Sequence, residues 1–132
     1  NNIFIYMNMQ KWAWTFGIVF LLIGILGFIP GVTQEGGLLL GIFSVDTMHN
    51  VVHLLSGVIA VWTALSSAKA AQMYFRIFGI VYALVTVIGF IQGDSFLGMM
   101  AINTADNILH LVIAVVALWL GYGMDENATT TA

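Results

Sequence analysis

The chemistry open to this chain of 132 residues is concentrated in two short strings. One reads His49-Asn50-Val51-Val52-His53-Leu54, the other Asp106-Asn107-Ile108-Leu109-His110-Leu111. On a helix, residues four apart share a face, so His49 pairs with His53 and Asp106 with His110. Three imidazoles and a carboxylate suit a divalent transition metal, zinc being one candidate. His53 and His110 alone suit the two axial positions of a haem or another tetrapyrrole. The same residues also fit a purely structural role. Asp46 and Asn103 read as N-caps, which puts Asp106 at the third helical position, where a carboxylate closes a capping arrangement. Asn50 and Asn107 would then hydrogen-bond between helices. A third reading is an ion or proton relay, the usual alternative for ionisable groups at membrane depth. Against it, no ionisable partner continues the path beyond Ser67 and Lys69. Met48, Met73, Met99 and Met100 add thioethers, which suit copper(I), although apolar filler is their ordinary role.

Those strings lie in a chain that reads as an integral membrane protein. Hydrophobic residues make up 61% and charged residues 7%, against about 25% charged in a soluble domain. Four segments reach spanning length: Trp12 to Ile29, Thr47 to Ser66, Tyr74 to Ile91 and Thr104 to Gly123. The expected fold is an all-α bundle of four transmembrane helices. Its parts are an N-terminal segment (1–10), a first hairpin (11–67), a turn (68–73), a second hairpin (74–123) and a polar tail (124–132). Lys11, Lys69 and Arg76 fall on one side of these spans, whereas Glu35, Asp46 and Asp94 fall on the other. The positive-inside rule then makes both termini cytoplasmic, where the Asn127-Ala128-Thr129 sequon would go unused. Asn1 to Tyr6 precede two candidate start residues, Met7 and Met9.

The hairpins read as copies of one unit. Phe16 to Gly31 (FGIVFLLIGILGFIPG) and Phe78 to Gly93 (FGIVYALVTVIGFIQG) share nine of sixteen positions without a gap. The His/Asn strings and Trp62 with Trp119 align at an offset of 57, against 62 for the first block. Two-helix units keep one orientation in a membrane, so the expected product has a pseudo-two-fold axis along the membrane normal. Gly17, Gly24 and Gly31, with Gly79 and Gly93, read as a packing seam, because small residues let helices approach closely in lipid.

Three basic residues exclude a nucleic-acid footprint. With no cysteine, no H-E-x-x-H and no second carboxylate to serve as a base, the chain reads as non-enzymatic. It reads as a small structural or accessory subunit in the lipid bilayer, self-associating or docked on a larger membrane complex. Binding of a metal or tetrapyrrole is the alternative, and transport as an oligomer the second.

The strings GILGFIPG (Gly24 to Gly31), HNVVHL (His49 to Leu54) and ADNILHL (Ala105 to Leu111) resemble the bacterial membrane family known as domain of unknown function 4383. The resemblance covers Lys11 to Gly123. It implies a four-helix protein of a bacterial cytoplasmic or thylakoid membrane, and it assigns no catalytic residue.

Overall fold

The computed structural model describes residues 8–124. The N-terminal residues before Asn8 and the tail from Asp125, with its sequon, lie outside the described residues. The four helices are α1 (Met9–Leu26), α2 (Thr47–Ser66), α3 (Ala68–Gln92) and α4 (Thr104–Leu118), the last ending in a π-helical turn at Trp119–Gly123. With that turn included in α4, each is long and apolar enough to cross a membrane. Their shortest, 18 residues in α1, spans about 27 Å at 1.5 Å per residue.

Each start has a polar side chain that satisfies a backbone N–H left over by the helical pattern. Asn8 accepts from Lys11 N at 3.0 Å, Ser67 from Ala70 N at 3.0 Å and Asp46 from His49 N at 2.9 Å. Ser67 is both the last cap of α2 and the first of α3. The expected turn at 68–73 is therefore corrected: those residues are already α3, because one serine suffices to end one helix and begin the next. At the other end α1 stops at Leu26 rather than Ile29, and Thr33 Oγ1 donates to the Leu26 carbonyl at 2.9 Å.

The all-α expectation needs a second correction. The loop between α1 and α2 is a three-stranded antiparallel sheet, β1 (Thr33–Gln34), β2 (Leu38–Leu39) and β3 (Phe43–Ser44). Its register places Thr33 opposite Leu39 and Leu38 opposite Ser44. The loop between α3 and α4 is a two-stranded hairpin, β4 (Ser95–Phe96) and β5 (Met100–Ala101), with Phe96 opposite Met100. Strands of two residues leave no periodicity to read. They form because backbone polar groups beside a membrane must be satisfied within the protein.

Large apolar side chains face outward: Ile18 and Leu22 on α1, Leu55 and Trp62 on α2, Leu84 and Val87 on α3, Val112 and Val115 on α4. The interior is small or aromatic, with Ala13, Ala60, Ala64 and Ala71 packed around Phe75 and Tyr74. That inversion of the soluble pattern suits helices whose outer faces meet lipid.

The glycines divide into two kinds. A Cβ on Gly17 would stand 2.6 Å from Val61, one on Gly24 2.7 Å from Leu54, and one on Gly79 2.8 Å from Leu118. These three are helix seams. Gly57, which the sequence reading passed over, faces Gly17 across the α1–α2 contact. Gly31 and Gly93 are not seam residues: nothing lies within 4 Å of their Cβ positions, and their φ values are +90° and +88°. Gly93 ends α3 and Gly31 lies in the loop five residues past α1, each with a positive φ that a side chain would strain. Gly24→Leu should cost about 2–3 kcal/mol by overpacking, and Gly31→Ala only about 1 kcal/mol through backbone strain. Thermal melts in detergent with equal losses for the two would refute this division.

Candidate functional site

The site is assembled at the sheet end of the bundle, where the first turns of α2 and α4 face the loops. Asp46 and Asn103 cap those helices. Around Asn103 the capping box foreseen from the sequence is complete: Asp106 N donates to Asn103 Oδ1 at 3.0 Å, and Asn103 N to Asp106 Oδ2 at 2.9 Å. The caps also reach across to the other hairpin. Ala101 N donates to Asp46 Oδ2 at 2.8 Å, Ser44 N to Asp106 Oδ2 at 3.0 Å, and Asn103 Nδ2 to the Ile42 carbonyl at 2.8 Å. Each helix start thus holds the loop that leads to the other one.

His49, His53 and His110 are all buried. Ring centroids are 4.4 Å apart for His49 and His53, 5.7 Å for His49 and His110, and 6.2 Å for His53 and His110. One ligand atom from each ring lies within 4.8 Å of the other two. Tetrahedral coordination at about 2.0–2.1 Å per nitrogen needs separations of about 3.3 Å, so the rings would have to draw together to hold an ion. His49 Nδ1 lies 2.8 Å from the Ala101 carbonyl. A carbonyl only accepts, so Nδ1 is the donor in this contact. Metal-ligating histidines are commonly oriented in this way by their second nitrogen. His49 Nε2, His53 Nδ1 and His110 Nδ1 are buried without a hydrogen-bond partner. Leaving a buried polar atom unsatisfied costs about 1–3 kcal/mol, and three in one place are a strong demand for a shared partner.

The rings line a cavity of about 100 Å³ together with Ser56, Tyr82 and Met100. Small-molecule pockets measure about 300–1,000 Å³, so the space is smaller than an ordinary ligand pocket. Towards the Ser67 end an aromatic floor closes it. Phe20 lies 5.9 Å from His53, Tyr82 5.5 Å from His110, and the two stack at 5.5 Å. Phe16 and Phe75 continue the packing below. Tyr82 Oη is 3.2 Å from Ser56 Oγ, which anchors the floor to α2.

The sequence-predicted residues therefore separate. His49, His53 and His110 come together. Asp106 lies outside the three-ring cluster but close enough to His49 to interact with it electrostatically, and its Oδ2 accepts from the backbone N–H groups of Ser44 and Asn103. Asn50 and Asn107 do not form the expected interhelical hydrogen bonds through their carbonyl oxygens, since each Oδ1 is buried without a partner. Asn50 instead rests on Gly27 and Asn107 on Gly89, where a Cβ would collide with the amide. Sequence reasoning missed the floor of Phe20 and Tyr82. The shared block alignment, which pairs those two positions, was the available signal.

The profile of the family described as Domain of unknown function (DUF4383) matches residues 10–123. The chain belongs to that family. Neither a curated protein nor a solved structure matches it. The family description assigns no activity, so any functional assignment has to come from the site itself.

Asp106→Ala would strand two backbone donors and should lower stability by about 2–4 kcal/mol. Asn103→Ala, which removes the other half of the box, should cost about 1 kcal/mol. Equal thermal midpoints for wild type and Asp106→Ala would contradict the cross-hairpin role of that carboxylate.

Proposed function

We propose that this protein is a multi-pass membrane protein that holds one transition-metal ion on His49, His53 and His110. The observation that carries the proposal is the convergence of three buried rings, each with a ring nitrogen that has no hydrogen-bond partner and with ligand atoms within 4.8 Å of one another, beside one small cavity. Structural glue explains these atoms less well, because glue works by satisfying polar groups and these nitrogens have no hydrogen-bond partner. A relay through a single chain would have to pass the stacked rings of Phe20 and Tyr82, where the Tyr82 hydroxyl lies 3.2 Å from Ser56 Oγ. Elemental analysis of gently purified protein should find close to one metal per chain, and none in a His53→Ala/His110→Ala variant. Metal absent from both, or retained by the variant, would sink the proposal.

The bundle is read as two copies of one hairpin about a pseudo-two-fold axis along the membrane normal. Support comes from contacts that recur at aligned positions: Gly17 with Val61 and Gly79 with Leu118, Gly27 with Asn50 and Gly89 with Asn107. Lys69 and Arg76 near the Ser67 end, against Glu35, Asp46 and Asp94 at the sheet end, support cytoplasmic termini by the positive-inside rule. The metal site then faces the outer side. Because the chain has no cysteine, single replacements report topology cleanly. An impermeant maleimide applied to intact cells should label Glu35→Cys and spare Ser67→Cys, and the reverse pattern would invert the orientation.

A further inference from the structure

The kind of metal is set by what else lines the cavity. Among the methionines considered from the sequence, Met99 is 59% exposed, whereas Met100 is 8% exposed and lines the cavity with the three histidines. Met100 and Ala101 form β5. The same two-residue strand thus contributes the carbonyl that orients His49 and a thioether at the cavity wall. No carboxylate lines the space, since that of Asp106 is held by Ser44 and Asn103 outside it.

Two consequences follow from this donor set. The groups that line the cavity are all neutral, and the Asp106 carboxylate beside His49 is not among them, so an ion bound there is not neutralised by its own ligands. The solvation cost of burying a charge grows with its square, so a divalent ion costs roughly four times as much as a monovalent one. A thioether is also a soft donor that favours copper(I) and adds little for zinc, while imidazole serves either metal. Charge and softness point the same way.

Resting on the three-histidine reading above, we infer that the site selects copper(I), with Met100 sulfur as its fourth donor. The sheet hairpin is then part of the coordination unit and not merely a loop over it. Met99, the neighbour in sequence, points away from the cavity and takes no part.

The test uses the full chain in lipid nanodiscs, loaded separately with Cu(I) and with Zn(II) under competition from a chromophoric chelator. X-ray absorption at the copper edge should show a nitrogen shell and one sulfur neighbour. Met100→Leu, which keeps volume and apolarity, should lose the sulfur neighbour and weaken Cu(I) binding about tenfold or more while leaving Zn(II) unchanged. A wild-type spectrum without sulfur overturns the inference even if the variant fails to fold. Equal retention of both metals by Met100→Leu also overturns it, and leaves the three-histidine site standing. Absence of binding by either metal, in wild type as in His53→Ala/His110→Ala, overturns both readings together.

Discussion

Polar groups inside a bundle of apolar helices have no water to fall back on, and the sheet end of this protein is organised around that constraint. The starts of α2 and α4 expose backbone donors, and so do the loops that lead into them. Asp46 and Asp106 each serve both: one carboxylate caps its own helix and accepts from the opposite loop, at Ala101 and at Ser44. The two hairpins are thereby joined by charge-assisted hydrogen bonds at the end where their helices begin. The histidine cluster depends on this junction, because the carbonyl that orients His49 belongs to Ala101, the residue whose N–H is held by Asp46.

Given that junction, the division of polar residues becomes intelligible. The carboxylates accept from backbone donors, Asp46 through both oxygens and Asp106 through Oδ2, and act as joints. Among the imidazoles only His49 has a hydrogen-bonded nitrogen, and its other nitrogen is buried without a partner. Below them the stacked rings of Phe20 and Tyr82 separate the cavity from the rest of the bundle axis. Chemistry at this site is thus confined to one end of the molecule, and the remaining length of the helices serves packing against each other and against lipid.

Much of this was legible in the residue pattern, and the parts that were not share a cause. Helix spans follow from apolar length, and the caps at Asp46 and Asn103 follow from side-chain type and position. The convergence of His53 and His110 followed from aligned strings. What sequence could not distinguish was direction. Asp106 and His110 share a helix face, but a capping carboxylate turns back to the backbone while an imidazole one turn later points to the axis. Gly24 and Gly31 sit on one heptad spacing, yet the helix ends between them, so one is a seam and the other a left-handed turn. Met99 and Met100 are adjacent, but Met99 lies in the turn and Met100 opens β5, and only the second is buried. Each of these depends on where a regular element stops, which composition does not encode.

In the register of the repeat, His49 falls opposite Asp106. Two identical hairpins associating as a dimer would have to carry imidazole at both positions or carboxylate at both. The first would give four rings and lose the bond that Asp106 accepts from Ser44; the second would keep the clasp and lose a ligand. Joining the hairpins through the single residue Ser67 removes that restriction, because each half is free to change alone. One half keeps the nitrogen donor and the other the clasp, a division of labour available to a tandem chain and closed to a homodimer.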